Sequence, residues 1–137
     1  DPSVMYCSTH QMPLYPGTGF ACETGAHDNV MNLPLADGAG SAAFRDVMEE
    51  HALPAVAAFK PELVLVSAGF DAHARDPLAG MLLEDADFAW VTEKLCDIAE
   101  ASAGRKLVSC LEGGYDLDGL ASASAAHVRV LKERGDG

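Results

Sequence analysis

The stretch Leu63–Met81, LVLVSAGFDAHARDPLAGM, decides how the rest of the chain is interpreted. Its aliphatic run from Leu63 to Val66 is typical of a buried strand, and Ser-Ala-Gly ends that run just before Phe70-Asp71. In open α/β sheets, ligands bind in the crevice beyond the carboxyl ends of parallel strands. An acid placed directly after a buried strand is therefore the first candidate for a functional residue, and Asp71 is that acid.

The size and composition of the chain predict one globular unit over residues 1–137. The chain has 137 residues, enough to bury a core, and 49% of them are hydrophobic against 22% charged, which excludes a disordered class. The net charge is −12, from 9 basic and 21 acidic residues. The negative charge argues against a nucleic-acid partner because phosphate binding needs basic residues, whereas a cationic substrate is compatible with an acidic protein.

The cysteines and the hydropathy pattern indicate the compartment. The four cysteines are widely spaced without a C-x-x-C pair, so a zinc ribbon or a disulfide framework is not expected: Cys7, Cys22, Cys96 and Cys110. No apolar run approaches the roughly 18 residues of a membrane span. We therefore expect a cytoplasmic protein without membrane contact. Because the sequence starts at Asp1 without a methionine and with strand-like residues, we also expect a fragment.

Hydrophobic periodicity predicts alternating strands and helices. The predicted strands are Val4–Thr9, Asn29–Leu33, Glu62–Ser67 and Lys106–Leu111. The predicted helices are Ser41–His51, Pro54–Phe59, Glu84–Ala103 and one from Asp116 onward. Ser41 and Glu84 are the predicted N-caps. The last helix is expected to bury a face formed by Leu117, Leu120, Ser124, Val128 and Leu131. This order indicates an α/β fold with an open parallel sheet and flanking helices.

Parallel strands bring Asp71 and Tyr115 together in this prediction. The last two strands deliver their following turns to the same edge of the sheet, so residues 44 apart converge (115 − 71). A carboxylate there can be a metal ligand, a general base or a helix cap. The Tyr115 hydroxyl can stabilise negative charge on a carbonyl oxygen. The pair suggests metal-assisted hydrolysis, while a turn acid and a packed aromatic remain the plain alternatives.

The loop Pro13–Gly19, PLYPGTG, is the other shaped segment. Two prolines and two glycines in seven residues prevent a helix or strand. Tyr15 precedes Pro16-Gly17, where its ring either projects into a cleft or packs on the body of the protein.

The segments SAGFDAHARDPLAG and LEGGYDL, in this order and spacing, closely resemble the histone deacetylase superfamily of zinc-dependent amidohydrolases. DPSVMYCSTHQ and LYPGTG resemble its preceding segment. The similarity covers essentially the whole chain and is strongest to class II-like deacetylases and acetylpolyamine amidohydrolases. It implies an arginase/deacetylase-like fold, of which this chain is the C-terminal part. It also implies removal of an acetyl or short acyl group from a lysine-like or polyamine amine.

The resemblance assigns roles residue by residue. Asp71 matches the last zinc ligand, and Tyr115 matches the tyrosine that polarises the substrate carbonyl and stabilises the oxyanion. The substrate-tunnel positions are Tyr15, Leu78, Gly113 and Gly114, with Asp76-Pro77 in the same loop as Leu78. Ser8 and Thr9 match residues near a monovalent-cation site. The implied cofactors are therefore Zn²⁺, or another divalent ion in its place, together with K⁺.

Two family motifs have no counterpart in the expected place. The family uses a tandem His-His pair as general base and electrostatic partner, but no two of the five histidines are adjacent: His10, His27, His51, His73 and His127. It also uses an upstream Asp-x-His motif for two zinc ligands, and no such spacing precedes Asp71. Asp71-Ala72-His73 has the spacing, but its aspartate matches the last ligand. We expect His73 to face solvent or the tunnel rim rather than to replace a ligand.

These differences lead to three expectations. The isolated chain neither binds zinc tightly nor deacetylates, because catalytic zinc usually takes three protein ligands. The incomplete sheet exposes an edge and apolar surface. The intact protein is a deacetylase, with two alternatives: a non-catalytic member that binds acylated ligands or partners, or an amide hydrolase that acts on a metabolite. Oligomerisation is left open.

Overall fold

The computed structural model describes residues 1–135 as alternating strands and helices. The strands are β1 (Tyr6–Gln11), β2 (Val30–Leu35), β3 (Val64–Ala68) and β4 (Leu107–Leu111). The helices are α1 (Ser41–Val47), a π-helical segment (Met48–Ala52), α2 (Leu53–Phe59), α3 (Asp85–Ser102) and α4 (Leu117–Gly135). Each strand pairs in parallel with one other, β1 with β2 and β3 with β4. The predicted α/β class with parallel strands and flanking helices is confirmed, although within residues 1–135 the strands form two separate pairs.

The first pair, β1 and β2, is shifted from the prediction. β1 begins at Tyr6 rather than Val4, and β2 continues through Pro34, which was expected to close it. The Asn29 and Leu35 carbonyls accept from the backbone N–H groups of Tyr6 and Met12, so the odd-numbered residues of β2 bond to β1. The nitrogen of Pro34 therefore points to the opposite edge, where its missing N–H breaks no bond of this pair.

Residues 41–59 form one continuous helical run instead of two helices. A π-helical segment joins α1 to α2, and Pro54 lies in the first turn of α2, as predicted. A local widening of the helix is a usual way to absorb a missing backbone donor. Ser41 is not the N-cap, which is Gly40, because the Ser41 hydroxyl donates instead to Asp87 Oδ2 at 2.6 Å.

The start of α3 was predicted correctly. Glu84 is its N-cap, and the Glu84 backbone N–H donates to Asp87 Oδ2 at 3.0 Å. Arg45 Nε donates to the other oxygen of the fully buried Asp87 carboxylate at 2.8 Å. Burial raises the pKa of Asp87, but the Glu84 N–H, the Ser41 hydroxyl and Arg45 together hold that pKa below its usual value. Asp87 thus joins α1 to α3.

Helices α3 and α4 cover one face of the β3–β4 pair. Val64 of β3 packs with Ala99 of α3 and with Ala103 in a small buried cluster. On the opposite face, the register partners Leu65 and Val108 are 71% and 49% exposed. The expected exposed apolar surface is therefore confirmed, and it lies on this uncovered sheet face. Among residues 1–135, no helix combines the length and the hydrophobicity that a membrane span requires.

Candidate functional site

The turns after β3 and β4 lie side by side, as the parallel topology predicts. Beyond the strands, Glu112 N–H donates to the Ala68 carbonyl at 3.0 Å and Phe70 N–H donates to the Gly113 carbonyl at 2.8 Å. The Asp71 carboxylate rests against Gly113, where a Cβ would lie 2.5 Å from Asp71 Oδ2. Gly113 is therefore required for the close approach of the two turns. The segment carrying Asp71 and the segment leading to Tyr115 are held at one edge of the pair.

Asp71 is a half-buried carboxylate with few partners. Burial raises its pKa, and the nearby negative charge of Asp76 raises it further, while the backbone N–H of Asp71 itself has the opposite effect. Within residues 1–135 no side chain donates a hydrogen bond to this carboxylate. A carboxylate placed in this way favours a cation beside it, since a positive charge would relieve both effects. This placement suits either a cation ligand or a general base, and no helix begins at Asp71 for the carboxylate to cap.

Tyr115 projects from the glycine turn and is 58% exposed. Gly114 has a φ of 138°, which side chains rarely tolerate, and a Cβ there would lie 3.0 Å from Leu120. The Tyr115 backbone N–H donates to Asp76 Oδ2 at 2.8 Å. Within the described residues the phenol itself makes no hydrogen bond or ring contact. Its hydroxyl is therefore free to donate to a ligand.

A third loop approaches the same edge. Gln11 ends β1 and immediately precedes the loop of Tyr15, and its side-chain oxygen accepts the Gly80 N–H at 2.7 Å. Gly80 lies two residues after Leu78, so the loops of Tyr15 and Leu78 are joined at their bases. Tyr15 is 98% exposed and Leu78 is 65% exposed. Both predicted tunnel residues thus lie on the surface, available to a ligand or to further protein.

Ser8 and Thr9, the predicted cation-site residues, lie in β1. The His10 ring joins Gly19 O through Nε2 and Ser8 Oγ through Nδ1, each at 2.9 Å. A carbonyl can only accept, so Nε2 carries the proton and the Ser8 hydroxyl donates to Nδ1. The lone pairs of Ser8 Oγ remain free, as coordination of a monovalent cation would require.

The prediction that His73 faces solvent or the tunnel rim was wrong. Its side chain is buried at 4% exposure and lies between α3 and α4. Nδ1 accepts the Arg75 N–H at 3.1 Å, so the ring proton is on Nε2, which faces Asp85 Oδ1 at 3.3 Å. The ring stacks on Phe88, and Gly119 leaves room for it, since a Cβ there would lie 2.9 Å from Nδ1. Both ring nitrogens are occupied by the protein itself.

The described residues do not fit a zinc ion by themselves. Residues 1–135 contain no group of three His, Cys, Asp or Glu side chains that could hold a metal. Catalytic zinc takes three protein ligands, and among the described residues this edge offers one carboxylate without hydrogen-bonded side-chain partners, Asp71, because both oxygens of the neighbouring Asp76 accept backbone N–H groups. Two other clefts, of about 330 Å³ each, lie elsewhere. One is between the ends of α3 and α4 near Arg105, and the other lies beside Tyr6 and Gly19.

Sequence reasoning missed the part played by Asp76. This side chain is 9% exposed, and it accepts hydrogen bonds from both its own loop and the Tyr115 turn. An aspartate before Pro77 is a frequent turn initiator, which was a usable signal for the local bond. Nothing in the sequence indicates the second bond, to a residue 39 positions away.

Comparison with known proteins gives consistent matches. The family model described as "Histone deacetylase domain" matches residues 1–131. "Histone deacetylase 10, chloroplastic" of Oryza sativa subsp. japonica is 41% identical over 134 residues, covering 96% of this chain and 30% of that protein. "Histone deacetylase-like amidohydrolase" of Pseudomonas aeruginosa is 40% identical over 116 residues, covering 82% and 30%. The crystal structure of the HDA15 HD domain matches with a TM-score of 0.90 at 33% identity, covering 98% of this chain and 39% of that chain. The chain therefore spans well under half the length of these relatives.

Proposed function

The chain belongs to the histone deacetylase family, and on that premise we propose that it forms part of a zinc-dependent deacetylase site. The reaction is hydrolysis of an acetyl or short acyl amide on a lysine or polyamine amine. One observation carries the proposal: the paired strand ends hold the Asp71 carboxylate directly against the Gly113-Gly114-Tyr115 turn. This juxtaposition unites a cation-binding carboxylate with a free phenol.

Two residues of this chain have separate roles in the proposed reaction. Tyr115 donates its hydroxyl hydrogen bond to the amide oxygen, which becomes more negative as water adds to the carbonyl carbon. Its support grows as the charge grows, so Tyr115 stabilises the transition state more than the bound substrate. Asp71 supplies the negative charge that holds a divalent cation. Gly113 and Gly114, together with Tyr15 and Leu78, border the path of the acyl chain.

Zinc is the metal we propose, with another divalent ion as the alternative. Because Asp71 is the one ligand that we assign at this edge, the proposed site needs ligands beyond those found in residues 1–135. We assign no reaction step to the metal on the basis of the described residues. K⁺ near Ser8 and Thr9 is the second proposed ion, supported by the free lone pairs of Ser8 Oγ.

Charge and thiol state support the proposed substrate class and compartment. A protein of net charge −12 attracts cationic substrates, as lysine-rich peptides and acetylated polyamines are. The four cysteines are free thiols, which supports a reducing compartment such as the cytoplasm.

The test compares the intact protein carrying these residues with its Asp71→Ala variant. We expect the wild type to release acetate from an acetyl-lysine peptide or from an acetylated polyamine, and to lose that activity with a chelator. Asp71→Ala should lose both bound zinc and activity while keeping its unfolding temperature within a few degrees. The matched control is Asp118→Asn, an exposed acid on α4 that should leave zinc and activity unchanged.

The opposing results are equally specific. Full zinc occupancy in a folded Asp71→Ala variant would exclude the ligand role. Binding of the acetylated peptide by the wild type, without acetate release in the presence of zinc, would support the non-catalytic alternative instead.

A further inference from the structure

The geometry points to Asp76 as a positioning residue that sets the place of the Tyr115 phenol through its backbone amide. This inference rests on the proposed role of Tyr115. It assigns to Asp76 no contact with substrate or metal. It concerns how a turn built on two glycines keeps its tyrosine in place.

The Asp76 carboxylate joins two loops because its two oxygens have different partners. Oδ1 accepts the Leu78 N–H at 2.9 Å and the Ala79 N–H at 3.4 Å, both within its own loop. Oδ2 accepts the Tyr115 N–H at 2.8 Å from the turn after β4. The side chain is 9% exposed, so water competes little for either oxygen.

Tyr115 depends on this bond because little else restrains it. The preceding Gly114 has a φ of 138°, a backbone conformation that glycine adopts readily and other residues rarely do. Glycine also restricts the backbone less than any other residue, so it does not by itself fix the position of Tyr115. The Tyr115 side chain is 58% exposed and makes no hydrogen bond within residues 1–135, so the backbone bond to Asp76 is not supplemented by one from the phenol. On its other side, Asp116 begins α4 by accepting the Gly119 N–H at 2.7 Å. The amide of Tyr115 is therefore held between the start of α4 and Asp76.

The same carboxylate couples Tyr115 to the loop of Leu78. Any shift of residues 76–79 changes the place of Oδ2 and hence of the Tyr115 amide. The phenol and the predicted tunnel rim are thus fixed relative to each other by one side chain. A displacement of about 1 Å of a catalytic group is enough to cost on the order of 100-fold in rate.

The test is a double-mutant cycle in the intact protein with Asp76→Asn and Tyr115→Phe. The asparagine amide can accept at only one of the two positions and turns an NH₂ group toward the other donor. We expect Asp76→Asn to lower kcat at least about tenfold, with KM and zinc content little changed. In the Tyr115→Phe background the same change should cost less than about twofold, because the hydroxyl that it positions is already gone. Asp118→Asn is the matched carboxylate-to-amide control.

A second readout does not depend on activity. Hydrogen exchange at the Tyr115 amide should be slow in the wild type and at least about tenfold faster in Asp76→Asn, while the Asp118→Asn control leaves it slow. Equal losses of kcat in both backgrounds, or fast exchange in the wild type, would overturn the inference. If the wild type lacks deacetylase activity but shows the protected amide, the proposed function fails while the positional role of Asp76 stands.

Discussion

At the residue scale, the Tyr115 hydroxyl is the group whose removal tests the proposed chemistry most directly. Tyr115→Phe removes one oxygen and leaves the Asp76 bond to the backbone intact. Removing one oxyanion donor costs about 10² to 10³ in kcat, so we predict a loss of that size. Zinc content should remain that of the wild type, since the phenol is not proposed as a ligand. The measurement is steady-state kinetics together with metal analysis, and an unchanged kcat would contradict the oxyanion role.

Replacement of His73 tests whether this residue, two positions after Asp71, is a structural histidine or a zinc ligand. The His73 ring nitrogens contact the Arg75 backbone N–H and the Asp85 carboxylate. His73→Ala therefore leaves both of these groups without that partner. We predict a loss of about 1–3 kcal/mol in the free energy of unfolding, measured by urea titration of the intact protein. Zinc occupancy of the folded variant should stay unchanged. Loss of zinc at full folding would instead make His73 a ligand, despite its present contacts.

At the element scale, α4 shows where sequence reasoning was limited. The predicted buried face included Leu117 and Val128, which are 79% and 56% exposed. The face that packs contains Gly119, Ala123, His127 and Val130. Large hydrophobic side chains predicted the wrong face of α4 because close packing of helices favours small residues. His127 also lies on the packed face, where both of its ring nitrogens are hydrogen-bonded. The four-residue spacing of Gly119, Ala123 and His127 was the available signal. Of the two predicted N-caps, Glu84 was correct because its capping box is local, whereas Ser41 was wrong because its hydroxyl bonds to Asp87, 46 residues away.

His127 joins α3, α4 and β4 through hydrogen bonds to both of its ring nitrogens. The Thr92 hydroxyl donates to the Phe88 carbonyl, so it accepts from His127 Nδ1 at 2.6 Å. Ser109 Oγ then donates to Nε2 at 2.9 Å. Burial lowers the pKa of His127 because it disfavours the charged imidazolium. Protonation would place a positive charge in this buried position, and the Ser109 hydroxyl would have to turn from donor to acceptor.

The lowered pKa of His127 predicts how the stability of the protein depends on pH. A folded-state pKa below the unfolded value of about 6.5 means that the unfolded chain binds the proton more tightly. The stabilisation is therefore complete above about pH 6.5, and it is lost as pH falls through the folded-state value. We expect the urea midpoint of the intact protein to decline below that pH, and the decline to weaken in His127→Gln. His27→Gln, at an exposed position, should keep the wild-type slope. Identical slopes in all three proteins would contradict the assignment.

At the scale of the whole molecule, the described residues bring together the Asp71 and Tyr115 segments of the proposed site. Parallel pairing brings Asp71 and the Tyr115 turn together, and this convergence was predictable because strand order alone dictates it. The arrangement of the strands into two separate pairs was not predictable, since hydrophobic runs do not specify neighbours. The sheet face with Leu65 and Val108 has helices on the other side only, which leaves these two apolar side chains exposed.

The last prediction concerns this uncovered face in the 137-residue chain studied alone. Leu65 and Val108 are register partners, so their exposed side chains form adjoining apolar surface. We expect the isolated chain to bind a hydrophobic dye and to self-associate, as uncovered apolar patches do. Leu65→Ser with Val108→Ser should lower both signals, whereas the control pair Leu117→Ser and Val128→Ser, also exposed but on α4, should lower them much less. Sedimentation velocity and dye fluorescence measure the two effects. Equal effects of the two pairs would show that general hydrophobicity, rather than the sheet face, governs association.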